Sequence, residues 1–344
     1  MLGIDLGSNT LRAVQMDEKL NKLKEYEFVI GAAKNLNQSG EISKEAIQRL
    51  KNALSILAKE QDLSKARAVA TAAFRKASNT NEIFAHLKKE FGIDFKLIDA
   101  KSEAKISVLG MQSGLRRLKI WGEFAYCDLG GASCLRRLKI WGEFAYCDLG
   151  GASCELSFRK SFKSFDFGII SFYEKNCHSY YKSCISYKKL IKKYPKFIIN
   201  IKDKKLKIHF LIANPYLKHL AFRAFDEVTM IKKELRSLGV KTVVLNSGVP
   251  TTLSALKQNI SYEKYEATRV NGKKLCHKDF LNYAIKLFHM EEKKAIKEVG
   301  TMRKNYLSAG CLLFYALFDK HKLLVIDEGL REGVCLASMK NIKF

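Results

Sequence analysis

Two similar glycine turns, far apart in the sequence, constrain the fold of this chain most strongly. The first reads Asp-Leu-Gly-Ser-Asn at residues 5–9, and the second reads Asp-Leu-Gly-Gly-Ala-Ser at residues 148–153. Each turn follows a short apolar strand and precedes further strands. A strand meander that begins twice in this way predicts an α/β protein with two similar halves, whose glycine turns face one cleft.

The remaining pattern alternates between helices and strands. Ser43 is predicted to be a helix N-cap, because apolar residues recur after it at helical spacing: Ile47, Leu50, Leu54 and Leu57. Asn79 or Thr80 is predicted to cap another helix. Residues 66–70 and 95–98 have the pattern of buried strands, and residues 102–109 that of a helix.

A tandem duplication interrupts the second half. Residues 115–134 (LRRLKIWGEFAYCDLGGASC) recur without a change as residues 135–154, although the fold has one position for this strand and turn. The second copy runs on into CELSFRKSF, which continues as an alternating strand, so we predict that it fills that position. The sequence then divides into an N-terminal domain (1–114), a duplicated insert (115–134) and a second domain (135–329). A C-terminal helix at about 330–344 is expected to pack back on the first domain.

The chain carries a formal net charge of +26 at pH 7. This excess predicts attraction to polyanions, either nucleic acid, an anionic membrane or a highly phosphorylated small substrate. Solvated surface lysines explain part of the excess, so charge alone does not choose among these partners. The lysine- and tyrosine-rich residues 173–207 suggest a basic track for a long anionic chain, with a solvated lysine face as the alternative.

Nothing in the sequence indicates export or a membrane span. The longest apolar run, Tyr306 to Phe318, is shorter than the roughly 18 residues that a membrane helix needs. The N-terminal segment MLGIDLGSN lacks a basic region, and Asp5 interrupts its apolar run. The nine cysteines include no CxxC pair and are expected to be reduced thiols. We therefore expect a cytoplasmic protein without membrane partners.

The glycine turns carry the first candidate chemistry. Glycine lets the backbone approach an anion closely, and the hydroxyl and amide side chains of Ser8, Asn9 and Ser153 add donors. The aspartate that opens each turn, Asp5 or Asp148, is suited to holding Mg²⁺ beside a substrate phosphate. Plain hairpin turns use the same residue types. The occurrence of two such turns at matching positions favours a phosphate site.

A third glycine-bearing stretch, VVLNSGVPTTL at residues 243–253, passes from an apolar strand into a helix. Gly248 and Thr251 lie where backbone amides and hydroxyls at a helix N-terminus bind anions. An ordinary helix cap is the alternative interpretation.

Seven motifs follow one another along the chain: IDLGSNTLRAV (4–14), ATAAFRKASN (70–79), IDAKSEAKISVLGM (98–111), YCDLGGASCEL (146–156), FGIISF (167–172), SGVPTTLSAL (247–256) and IDEGLREGV (326–334). In this order they resemble the exopolyphosphatase and guanosine-pentaphosphate phosphohydrolase family, within the superfamily of actin, hexokinase and heat-shock ATPases. The resemblance implies an α/β fold of two ribonuclease-H-like (actin-like) domains with an interdomain cleft.

The resemblance also implies roles for individual residues. Glu103 matches the carboxylate that activates the attacking water, and Arg75 matches the arginine that contacts the substrate phosphates. The matches to the two phosphate loops are Gly7, Ser8, Asn9, Gly150, Gly151 and Ser153. Asp148 and Glu155 match acidic residues linked to magnesium.

The implied reaction is the Mg²⁺-dependent removal of terminal orthophosphate from inorganic polyphosphate, guanosine pentaphosphate or both, which would connect the protein with the stringent response. Three departures from the family pattern leave substrate preference open: Ala100 to Glu103 keep one acid of a Gly-x-Glu-Glu run, Ala152 replaces a glycine, and Ser247, Val249 and Pro250 replace parts of a Gly-Gly-Thr-Ala run.

Other functions stay open from the sequence. An ATP-dependent kinase of the same superfamily is one. A polyphosphate- or alarmone-binding regulator, catalytically impaired because the duplicated block disrupts the second loop, is another. Nucleic-acid binding rests on charge alone and is the weakest alternative. The oligomeric state is also open, with a homodimer among the options.

Overall fold

The computed structural model describes residues 1–120, 144–159, 161–177, 212, 214–340 and 342. Its strands form two mixed sheets. The strands are β1 (Leu2–Leu6), β2 (Thr10–Met16), β3 (Lys22–Val29), β4 (Arg67–Ala70), β5 (Phe95–Leu97), β6 (Phe144–Leu149), β7 (Cys154–Phe158), β8 (Ser161–Phe165), β9 (Thr242–Leu245), β10 (Lys274–Leu275) and β11 (Lys322–Val325).

Helices cover both sheets. They are α1 (Leu36–Ser39), α2 (Lys44–Ala58), α3 (Ala72–Lys76), α4 (Thr80–Phe91), α5 (Ala100–Arg117), α6 (169–177), α7 (Pro215–Glu227), α8 (Thr229–Ser237), α9 (Gly248–Lys257), α10 (Ala267–Val270), α11 (His277–His289), α12 (Glu292–Val299), α13 (Lys304–Leu317) and α14 (Leu330–Met339). In the described residues, no helix is long and apolar enough to cross a membrane.

The two sheets repeat one arrangement. The first has the order β3-β2-β1-β4-β5, and the second has the order β10-β11-β9-β6-β7-β8. In each, a central strand, β1 or β6, begins an antiparallel meander and pairs on its other side with a parallel strand, β4 or β9. The predicted α/β fold with two similar halves is confirmed.

Local sequence signals set several helix starts. The Ser43 hydroxyl accepts a hydrogen bond from the Ala46 N–H (3.3 Å), which confirms the predicted N-cap of α2. Asn79 precedes α4, but its side chain bonds the backbone of Ile42 (3.0 Å to the N–H). The Asp99 carboxylate accepts from the Ser102 N–H (2.6 Å) and starts α5, which is longer at both ends than the predicted 102–109.

Each sheet has its own apolar core. Around the first sheet, Ile4, Leu6 and Leu54 are fully buried in a core that also contains Ala152 and Ile170 from the second half of the chain. Ala152 belongs to the second glycine turn and Ile170 to helix α6, so the second domain contributes directly to the core of the first. This packing brings the two glycine turns together.

The C-terminal helix α14 packs between the sheet and α5. A side chain at Gly110 of α5 would place its Cβ 2.0 Å from the Gly329 carbonyl oxygen, and one at Gly3 of β1 would lie 2.4 Å from that of Arg331. The two glycines therefore permit a backbone approach that no larger residue allows. Because α5 carries Glu103, this contact fixes one wall of the cleft.

The sheet position of the duplicated strand is occupied by second-copy residues, which form β6 and begin β7. The first copy contributes its first three residues, Leu115–Arg117, to the end of α5. Residues 121–143, which hold most of the first copy, lie outside the described residues. The proposed basic track also lies largely outside them, because residues 178–207 are not described.

Candidate active site

The two glycine turns meet at one cleft between the sheets. The Gly7 N–H donates to the Thr10 carbonyl (2.9 Å), and the Gly150 N–H donates to that of Ser153 (3.0 Å), so both turns close in the same way. A Cβ added to Gly151 would lie 2.9 Å from the Ser8 Cβ. The space within the cleft, including the solvent at its open side, is about 1060 Å³. The prediction of a cleft between two domains is therefore confirmed.

Most residues that the sequence proposed for the site line this cleft. They are Asp5, Gly7, Ser8, Asn9, Glu103, Asp148, Gly150, Gly151, Ser153, Glu155 and Gly248. Two candidates lie elsewhere. Arg75 contacts Glu103 without lining the cleft within the described part of the chain. Thr251 lies within α9, where its hydroxyl donates to the Ser247 carbonyl (2.9 Å), and it lines a neighbouring cavity.

Four of the carboxyl groups that line the cleft influence one another's ionisation: Asp5, Glu103, Asp148 and Glu155. Burial, followed by the charge of Glu103, raises the pKa of Asp5 to about 7. Burial, followed by the charges of Glu103 and Asp5, raises the pKa of Asp148 to about 8. Burial, Glu103 and Asp148 raise the pKa of Glu155 well above its ordinary value. Each ionised group therefore disfavours the ionisation of the others.

The carboxyl cluster fits a magnesium ion held partly by substrate. The Asp5 Oδ1 atom is buried and has no hydrogen-bond partner among the described residues. Within the same residues, no three acidic, histidine or cysteine side chains form a ready metal-binding group. Mg²⁺ usually binds one or two carboxylates and completes its shell with water and phosphate oxygens. Asp5 and Asp148, at the ends of β1 and β6, are suited to that mode.

Glu103 projects from the first turn of α5 into the cleft. Its Oε2 accepts a hydrogen bond from Arg75 Nη1 (2.7 Å), and the same nitrogen donates to the Ile98 carbonyl (2.8 Å). Burial raises the pKa of Glu103, and the Arg75 guanidinium opposes this rise. A partly buried carboxylate with a pKa above its usual range is suited to accepting a proton near neutral pH.

Ser247 is a cleft residue to which the sequence analysis gave no role. Its hydroxyl is buried and has no hydrogen-bond partner among the described residues, and it precedes Gly248 at the N-terminus of α9. A side chain at Gly248 would place its Cβ 3.1 Å from Arg303 Nη2. A helix N-terminus, a free hydroxyl and a guanidinium converge there, which is a favourable environment for an anion.

A charged wall separates this cleft from a second cavity. Both are lined by Arg12, Arg303, Asp327 and Arg331. Arg12 Nη1 lies 3.5 Å from Asp327 Oδ1, and Arg331 Nη2 lies 3.6 Å from Asp327 Oδ2. Arg303 Nη1 donates a hydrogen bond to Glu27 Oε1 (3.2 Å). Arg12 and Arg331 lie within the motifs at residues 4–14 and 326–334, and a charged residue at a core-facing position is the sequence signal that marks each of them.

The fold and the cleft define a two-domain α/β protein of the actin-like class. Residues 15–135 match the model of the Ppx/GppA phosphatase family. No curated protein sequence matches the chain significantly. The predicted resemblance to the exopolyphosphatase and guanosine-pentaphosphate phosphohydrolase family is thus confirmed over the matched residues.

Solved structures with the same fold align with at least 98% of the chain. A Ppx/GppA enzyme from Aquifex aeolicus aligns with a TM-score of 0.64 at 24% identity, covering 98% of each chain. Another structure of the Aquifex aeolicus family member aligns with a TM-score of 0.62 at 22% identity, covering 100% of this chain and 98% of that one. An exopolyphosphatase from Cytophaga hutchinsonii aligns with a TM-score of 0.67 at 18% identity, covering 99% and 97%.

Proposed function

We propose that this protein is a Mg²⁺-dependent phosphohydrolase that releases terminal orthophosphate from inorganic polyphosphate, guanosine pentaphosphate or both. The supporting observation is that the two glycine turns and Glu103 open onto one cleft. Phosphoryl transfer needs a positioned nucleophile and charge stabilisation more than covalent help from the protein. The cleft offers side chains for both tasks.

The lining of the cleft carries hydrogen-bond donors that are suited to a phosphate chain. The hydroxyls of Ser8 and Ser153, one from each turn, lie at its lining together with Asn9. The Ser247 hydroxyl and the Arg303 guanidinium extend the row of donors past Gly248. Donors from both domains therefore hold successive phosphate groups, and the net positive charge of the chain favours encounter with polyanions.

Glu103 is the residue proposed to activate water. Its ionised carboxylate accepts a proton from a water molecule, whose oxygen attacks the terminal phosphorus atom as the phosphoanhydride P–O bond breaks. The shortened chain leaves with the bonding electron pair on its oxygen. Mg²⁺, when bound, would neutralise phosphate charge and would favour the ionised form of the neighbouring carboxyl groups. Asp5 and Asp148 are the residues that would hold it.

Phosphate release from polyphosphate and from guanosine pentaphosphate, each with Mg²⁺, tests the proposal. Glu103→Gln keeps the shape of the side chain but removes the proton acceptor, so the rate should fall by about 10² to 10⁴-fold. Glu82→Gln is the matched control, because Glu82 is an exposed glutamate in the first turn of another helix, α4. We expect Glu82→Gln to retain the wild-type rate.

Two results would contradict the proposal. One is a wild-type protein that releases no phosphate from either substrate. The other is a Glu103→Gln variant that is as active as the wild type. Binding of polyphosphate without turnover would instead support the regulatory alternative, which is favoured by the location of β6 and the second glycine turn within the duplicated segment.

A further inference from the structure

Hydrogen bonds to the backbone hold Arg75 in place where it contacts Glu103. Arg75 lies near the end of α3, and its N–H donates to the Thr71 carbonyl (3.1 Å). The Ile98 carbonyl, which accepts from Arg75 Nη1, belongs to a residue whose own N–H donates to the Ala70 carbonyl of β4 (3.2 Å). The guanidinium is therefore held against the edge of the sheet.

The same Nη1 atom determines where the Glu103 carboxylate lies. It donates to Glu103 Oε2 at 2.7 Å while bonded to the Ile98 carbonyl at 2.8 Å. Both side chains are largely buried, with 23% of Arg75 and 13% of Glu103 exposed. In an environment of low dielectric, a charge-assisted hydrogen bond of this length restricts the rotamers of the carboxylate strongly.

The cleft has other cations for its substrate. Thr71 and Ala72, at the start of α3, line it, but in the described part of the chain Arg75 does not. Three other arginines do line it: Arg12, Arg303 and Arg331. Charge neutralisation of the phosphates therefore does not require Arg75 to leave Glu103.

We propose that Arg75 is a positioning residue, which aims the Glu103 carboxylate at the attacking water instead of binding the substrate phosphates. This inference rests on the proposed function and differs from the phosphate contact that the family resemblance implies. If Arg75 acts only through Glu103, its loss reduces the chemical step and leaves substrate affinity intact.

Steady-state kinetics of phosphate release separate the two roles. Arg75→Met should lower kcat by about 10- to 100-fold, because a misdirected base loses near-attack geometry, while KM changes less than threefold. Arg75→Lys should recover part of kcat, since an ammonium group can bond Glu103 but lacks the planar fork. A rise in KM of more than tenfold for Arg75→Met, with kcat preserved, would show a substrate ligand and overturn the proposal.

A matched control tests whether the loss of any nearby cation lowers kcat, and a double variant tests whether Arg75 acts only through Glu103. Lys76→Met removes a neighbouring cation that pairs with Asp166, and it should leave kcat unchanged. In a Glu103→Gln background, adding Arg75→Met should lower the residual rate by less than threefold, because the residue it positions is already lost. A further tenfold fall in that background would refute a role through Glu103. Thermal unfolding of each variant identifies loss of fold.

Calorimetric titration with inorganic tripolyphosphate in the absence of Mg²⁺ gives a test that does not depend on turnover, because the proposed hydrolysis requires Mg²⁺. Wild type and Arg75→Met should bind with dissociation constants within threefold of each other. A tenfold weaker affinity for a folded Arg75→Met would overturn the proposal. If wild type binds tripolyphosphate but releases no phosphate from any substrate, the proposed function fails, and the titration still decides whether Arg75 binds phosphate.

Discussion

The buried carboxyl cluster should make the protein less stable as pH rises, and Asp148→Asn isolates this effect. Asp148 opposes Glu155 in the pairing of β6 with β7. Its pKa in the fold is about 8, against an ordinary value of 3.8. The native state therefore keeps a proton that the unfolded chain has lost, and the free energy of unfolding falls as pH rises between these two values.

The magnitude follows from the size of the shift. Each pH unit between the two pKa values lowers the free energy of unfolding by about 1.4 kcal/mol. Asparagine does not ionise, so Asp148→Asn is free of this cost. Its stability advantage over wild type should grow by about 4 kcal/mol between pH 5 and pH 8 in the absence of Mg²⁺. The same variant should lose phosphate release.

Equilibrium urea denaturation at pH 5, 6, 7 and 8 measures the difference. Asp94→Asn, at an exposed aspartate beside Lys88, is the matched control and should show no growing advantage. Saturating Mg²⁺ should stabilise wild type more than Asp148→Asn at pH 8, because a ligand that binds only the native state shifts the equilibrium toward it. An advantage of Asp148→Asn that is the same at all four pH values would refute the argument.

Two further variants probe the scaffold. Deleting residues 115–134 shortens the connection between α5 and β6 (residues 118–143) from 26 to 6 residues, and it leaves every described element with an unchanged sequence because the copies are identical. Loop-closure entropy predicts about 1 kcal/mol of added stability in urea denaturation, and a less stable deletion variant would show that the first copy contributes to the fold. Gly110→Ala should cost about 1–3 kcal/mol or more, because its Cβ would meet the Gly329 carbonyl at 2.0 Å; an unchanged melting temperature would contradict the close packing of α5 and α14.

Local chemistry was sufficient for much of the fold and for part of the site. The Ser43 cap, the strand before each glycine turn and the repeated meander follow from residue type and spacing over a few positions. The full length of α5 did not follow from residue type and spacing, because its final residues are stabilised by packing against α14 and the second sheet. Most candidates taken from the glycine turns do line the cleft, because a turn at the end of a central strand has little freedom in where it points.

By itself, the sequence determined two glycine turns at equivalent ends of two sheets and the acidic residues beside them, because these are properties of short segments. Only the tertiary structure decided which charges are buried and which partners they have. Arg75 meets Glu103 across 28 positions of sequence, and the Ser247 hydroxyl is buried by the surfaces around it with no hydrogen-bond partner among the described residues. The pKa of a carboxyl group and the rotamer of a base depend on what covers them, and that is fixed only when distant segments pack together.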